Sequence, residues 1–414
     1  MRVYADNAAT TYLSKTARDK LIQCLDEFNG NPNSLHSDGQ RTQEALDEAR
    51  AIVAGCINAA RPNEIYFTSG GSEADNQALL SAARGLKAKG KKHLITLNIE
   101  HHAILHTMRK LEGEGFEVTY LAPQSNGIVD VKDVEDAIRD DTALVSIMFA
   151  NNEMGAIQPI PEIGAICKAR KVLFHTDSVQ AAAHLPIDVQ AMNIDMLSMS
   201  GHKFHGPKGV GILYARNGIK LVNVIEGGAQ ERGKRAGTVN VPGIAAMAVA
   251  LKEGCDNMEE NMNKVRALRD RLIEGLRDIP YSQLNGDPVK RLPGNVNWSF
   301  EGVEGESLLL HLDMYGIECS SGSACTSESL DPSHVLLGMG VPIEAAHGSL
   351  RVSLDIDNTE EQIDYIIEKV HQVVELYRGM SPYWEDLLTG KREHCIPEYW
   401  NKYEEQKCHY IQIK

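Results

Sequence analysis

Between residues 65 and 214 short apolar runs alternate with longer helical stretches, and few architectures accept that alternation. The runs 65–67, 93–97, 117–122, 143–150, 172–175, 196–200 and 209–214 read as seven strands. Most are separated by 10 to 25 residues of amphipathic or alanine-rich pattern, as in 72–89 and 160–170. Strand and helix in repeated alternation predict an α/β fold around a mainly parallel sheet covered on both faces. Ligands of such a sheet gather outside the carboxyl ends of its strands. The polar residues just after each run are therefore the candidates for chemistry.

Beyond this region a long helix is predicted from Met258, Met262, Val265, Leu268, Leu272 and Leu276 at steps of three and four. It leads to a second unit, with strands at 295–300 and 349–354 and helices at 306–315 and 359–377. With 414 residues and 43 % hydrophobic content the chain can bury a sizeable core. Its formal net charge of −15 argues against general nucleic-acid binding. No apolar run approaches a membrane span, and the eight cysteines include no CxxC pair. A cytoplasmic protein with mostly reduced thiols is expected, with no nucleic acid and no membrane as partners.

Thr68-Ser69-Gly70-Gly71-Ser72-Glu73 leads from a strand into a helix. It is either a phosphate cradle or an ordinary helix start capped by Ser72. Later strands deliver Glu100-His101-His102, Asn151-Asn152-Glu153 and Thr176-Asp177-Ser178-Val179-Gln180. Three such ends in register suggest a common pocket, although Asp177 could be a helix cap and His101 a surface histidine. Ser200-Gly201-His202-Lys203 places a lysine at a buried strand end, where burial and cationic neighbours favour a nucleophilic amine able to form a Schiff base. Lys208, in a Pro-Lys-Gly turn, is expected in solvent. That amine, a glycine-rich cradle and an aspartate for a pyridinium nitrogen are the groups that pyridoxal phosphate (PLP) requires. Cys325 lies on a small-residue loop and is a nucleophile or an incidental thiol. Arg351 is a carboxylate clamp or a strand residue facing solvent. Cys319 is expected at a strand end, and Cys24, Cys56, Cys167 and Cys255 in helix packing.

Three segments carry a family resemblance in order: Ser200 to Lys203, Gln230-Glu231-Arg232-Gly233-Lys234-Arg235-Ala236-Gly237-Thr238, and Ser320-Ser321-Gly322-Ser323-Ala324-Cys325-Thr326-Ser327. With Asp6 to Thr11 and Gly30 to Ser34, the chain resembles the PLP-dependent cysteine desulfurases of the NifS/IscS type, in their long-active-site-loop group. The resemblance implies fold type I of the PLP-dependent transferases. A large PLP-binding domain would span 15–257, a smaller α+β domain 1–14 with 258–385, and a C-terminal extension 386–414. It also implies a homodimer. Lys203 would hold PLP, Asp177 would pair with its pyridinium nitrogen and His101 would lie over the ring. Asn152 and Gln180 would bond the ring hydroxyl. Gly71, Ser72, Ser200 and His202 would hold the phosphate, with Thr238 reaching it from the other subunit.

Arg351, helped by Asn33, would bind the carboxylate of L-cysteine. Cys325 would take the sulfur as a persulfide and pass it to an iron–sulfur scaffold or other acceptor protein, giving L-alanine. No stable metal is implied, although Cys325 could share a cluster ligand transiently with a scaffold. Selenocysteine lyase, or another PLP enzyme of small amino acids, is the nearest alternative. A catalytically silent partner-binding subunit is a further one, against which Lys203, Asp177, His101 and Cys325 all speak. The tail from Lys391 exceeds the resemblance and is expected as a surface extension.

Overall fold

A computed structural model describes residues 1–321 and 332–399; Cys325 lies outside them, as does Cys408. The chain opens with β1 (Val3–Tyr4) and then builds its main sheet from seven strands. These are β2 (Ile65–Thr68), β3 (His93–Leu97), β4 (Glu117–Leu121), β5 (Thr142–Ser146), β6 (Leu173–Asp177), β7 (Met196–Ser200) and β8 (Gly211–Ala215). Their spatial order is β2-β8-β7-β6-β5-β3-β4. Every pairing is parallel except those of β8, which runs antiparallel to both β2 and β7. Two reversals cancel, so β2 points the same way as β7, and its carboxyl end opens on the same edge.

Neighbouring residues of a strand face opposite sides, and here both sides are buried in every strand of the sheet but the edge strand β4. Ile95, Val145, Leu197 and Ile212 enter one apolar cluster, while Leu94, Leu144, Met196 and Leu213 enter another beneath the Gly71–Lys87 and His102–Gly113 helices. Covered faces explain why these strands read as continuous apolar runs. The 143–150 run is the exception to the expected bounds. Regular strand ends at Ser146, yet Ile147 and Phe149 still donate to His175 and Asp177 carbonyls at 3.1 and 2.8 Å. The chain thereby stays extended up to Ala150.

The second unit has the antiparallel sheet β12-β10-β9, with β9 at Ser282–Leu284, β10 at Asn295–Phe300 and β12 at Ser349–Ser353. β11 (Ile317–Glu318) pairs in parallel with β1. Val3 and Ala5 pack in its core with the apolar stripes of the Met258–Leu276 and Glu360–Met380 helices. Thr359 and Gln362 form a capping box at the start of the latter helix. The described part of the tail is more than a surface extension. Cys395 and Ile396 are fully buried, and Glu301 accepts from Cys395 N and bonds His394. No helix among the described residues is long and apolar enough to cross a membrane.

Candidate active site

A cavity of about 290 Å³ opens at the shared carboxyl edge of the main sheet. Five strand ends supply it: β2 gives Gly71 and Ser72, β3 His101, β5 Asn152, β6 Asp177 and Gln180, and β7 Ser200, His202 and Lys203. Ala8 and Ala9 from the N-terminal segment and Arg351 from β12 complete the wall. Lys208 is exposed, as expected.

Lys203 Nζ donates to the carbonyls of Ala8 and Ala9 at 2.5 and 2.7 Å, which holds the amine over the cavity. Gln180 Nε2 donates to the same Ala8 carbonyl at 3.0 Å. Asp177 is buried and its Oδ1 accepts from Val179 N at 2.9 Å, but only turns follow β6 and no helix starts there, so Asp177 is not a helix cap and lines the cavity instead. Burial pushes its pKa up to about 6, against the Val179 N–H and Lys203, which favour the carboxylate.

His101 caps the His102–Gly113 helix, its Nδ1 accepting from Ala103 N at 3.1 Å. Burial, then Lys203, His334 and His106, pull its pKa down to about 4. The ring is therefore neutral at pH 7, with its proton on Nε2 because Nδ1 accepts. His202, bonded through Nδ1 to Thr10 Oγ1 at 3.1 Å, is drawn down to about 4 by burial and by Lys203.

The Gly71–Lys87 helix starts from Gly70 with no side-chain cap, so Ser72 lies inside the first turn and is not the capping residue. A Cβ on Gly71 would stand 2.6 Å from Val179 Cγ2, so only glycine leaves that wall open. Arg351 settles its two readings: its side chain is buried and faces the cavity. Nη2 pairs with Asp6 Oδ1 at 2.9 Å, Nη1 donates to Asn152 O at 3.1 Å, and buried Nε has no partner among the described residues.

Asp75 lines the same cavity without having been singled out from the sequence. Its Oδ1 makes no hydrogen bond among the described residues and lies 3.7 Å from His175 Nε2. Burial and Asp177 hold Asp75 well above the usual carboxylate range, and burial does the same to Glu100. His175, pulled down to about 3 by burial, adds no positive charge. A charged residue on an otherwise alanine-rich helix face was the available signal for Asp75. Asn33 and Thr238 are exposed and do not line this cavity. Cys325 lies outside the described residues, while Cys319 is half-buried just after β11.

A mainly parallel seven-stranded sheet covered by helices on both faces, with its cavity at the carboxyl edge, is the architecture of the fold type I PLP-dependent enzymes. The chain belongs to the aminotransferase class-V family, whose model matches residues 3–366, and within it to the cysteine desulfurases of the NifS/IscS type. It is 54 % identical to cysteine desulfurase IscS of Clostridium botulinum (strain Hall) over 95 % of this chain and 99 % of that one. With cysteine desulfurase IscS of Methanosarcina thermophila it shares 53 % identity over 92 % and 94 % of the two chains. A solved NifS-like protein superposes with a TM-score of 0.85 at 38 % identity, covering 91 % of this chain and all of that one. The activity is desulfuration of L-cysteine.

Proposed function

We propose that this chain binds PLP in the cavity at the sheet edge and passes the sulfur of L-cysteine to Cys325 as a persulfide. The convergence of Lys203, Asp177 and His101 in one cavity carries the reading. The residues present fit the cofactor. The uncapped helix start at Gly70–Gly71 offers N–H groups to a phosphate, beside Ser72, Ser200 and His202. Asp177, inside an acidic and buried surround, is matched to a pyridinium proton. Lys203 supplies the amine that holds the cofactor.

When bound, PLP supplies the electron sink that lets the Cα proton of L-cysteine depart. Arg351 orients the substrate carboxylate, and Lys203 Nζ takes the Cα proton. The Cys325 thiolate attacks the substrate sulfur, an S–S bond forms and the Cβ–S bond breaks. The carbon skeleton keeps that electron pair and takes up a proton at Cβ, for which neutral His101 is the donor through Nε2–H. It regains its Cα proton from Lys203 Nζ and leaves as L-alanine. The persulfide sulfur then goes to an iron–sulfur scaffold or another acceptor protein in the cytoplasm.

A homodimer would bring exposed Thr238 to the partner's cavity. The cores support a large domain at 15–257 and a smaller one built from 1–14 and 258–385, except that Val335 to Ala346 pack into the large domain's cluster. The test measures alanine and sulfide released from L-cysteine, with excess dithiol, for the native protein and Cys325→Ala. Equal amounts of both products, lost in the variant while cofactor absorbance remains, support the reading. Both products persisting in the variant would exclude Cys325 as the sulfur acceptor.

A further inference from the structure

Glu153 follows Asn152 on the turn beyond β5, and its side chain is 5 % exposed. Its backbone is fixed from two directions. Its N–H donates to Asn151 Oδ1 at 2.8 Å, and its carbonyl accepts from Asn295 and Asn297 Nδ2 of β10 at 3.1 and 3.2 Å. The carboxylate Oε2 accepts from Ser333 Oγ.

Ser333 is also the cap of the His334–Gly338 helix, its Oγ accepting from Val335 N at 3.1 Å and Leu336 N at 3.2 Å. A hydroxyl has one proton and two lone pairs, and all three are used here. Glu153 is the anchored member of the pair, and Ser333 begins the chain that returns after residue 331. The chain entering that stretch is tied to the same turn. Ser320 and Arg351 exchange backbone bonds of 3.2 and 2.7 Å, and Arg351 Nη1 bonds Asn152 O. Asn152 and Glu153 thus tie both described flanks of residues 322–331 to the wall of the cavity.

We infer that Glu153 is a positioning residue for sulfur transfer, acting through Ser333 on where the chain that carries Cys325 rejoins the protein beside Asn152. The inference rests on Cys325 as the sulfur acceptor. It concerns the hand-over of sulfur and not the binding of cofactor or substrate, because Glu153 holds Ser333 and does not face the cavity.

The experiment uses the PLP-loaded enzyme and Glu153→Ala, Ser333→Ala, the double variant, and the conservative Glu153→Gln and Ser333→Thr. The single-turnover rate of persulfide formation on Cys325, read by mass, is expected to fall about tenfold in each alanine variant, the scale of one buried hydrogen bond. The double variant should be no slower than either single one, since both remove the same contact. Glu153→Gln keeps an acceptor oxygen and Ser333→Thr keeps the hydroxyl, so both should return toward the native rate. Cofactor absorbance and the KM for L-cysteine should be unchanged throughout, and amides of Val335 and Leu336 should exchange faster where the cap is lost.

A native persulfide rate in Glu153→Ala would overturn the inference, as would losses in the two alanine variants that add. A fall in cofactor binding matching the fall in rate would also overturn it, because Glu153 would then shape the cavity itself. Failure of the Cys325 reading is separately visible, as sulfide release at the native rate from Cys325→Ala.

Discussion

His205 and Asp355 form an ion pair at 3.1 Å, without hydrogen-bond alignment, where the N-terminal segment crosses between the two cores. Burial alone would lower the His205 pKa, but Asp355 outweighs it and the group is raised to about 9. The same contact holds Asp355 below its ordinary value although burial opposes this. A histidine raised on folding contributes stability that is complete below pH 6.5 and is lost as pH rises through about 9. The aspartate's share is present above its ordinary pKa and is lost as pH falls. Raising the pH from 7 to 10 should therefore lower Tm by about 2 °C through this pair. That step should be absent in His205→Asn, as read by thermal melts across the range. Residue chemistry of this kind is poorly visible in the chain, because His205 and Asp355 are far apart in sequence. Arg351 and Asp6 pose the same difficulty, being 345 positions apart.

At the scale of elements, polar residues that follow an apolar run were legible because a strand end determines locally where they must go. Lys203, Asp177 and His101 stand at or just after such strand ends and line one cavity. The start of the Gly71–Lys87 helix was read less well. Ser72 resembles a cap by residue type, yet Gly70 holds the cap position, and Ser72 lies in the helix with its turn open toward the cavity. Gly71→Ala should place a methyl 2.6 Å from Val179 Cγ2. Overpacking of this kind costs about 1–3 kcal/mol of stability, and Val179 displaced toward the cavity should lower PLP affinity about tenfold. Titration of the apoprotein by cofactor absorbance checks this, and Val179→Ala in the same chain should restore binding. Asp75 on the same helix was missed since helix periodicity records which face is buried, not which buried carboxyl reaches a cavity.

In the whole molecule the segment from Gln230 to Thr238 is held by a pair that no local rule predicts. Arg50 and Glu231, both buried, meet at 2.7 Å, and Glu231 also accepts from Phe67 N. Glu231 and Arg232 adopt positive φ of 45° and 57° there, and Thr238 is left exposed. If Thr238 serves the partner's cavity, mixing Lys203→Ala with Thr238→Ala subunits should regain desulfurase activity that neither variant has alone. Each mixed dimer then contains one intact cavity. Activity no higher than that of Thr238→Ala alone would place Thr238 with its own subunit's site.

The sequence by itself determined the alternating elements, their covered faces and the strand ends that carry Lys203, Asp177 and His101. Periodicity and strand termination act over a few residues and are written into the chain directly. Only tertiary structure decided that β8 runs antiparallel, that Asp6 meets Arg351, and that Glu153 holds Ser333. Those contacts join residues brought together by packing two cores, and a burial pattern records that a side chain is covered without naming what covers it.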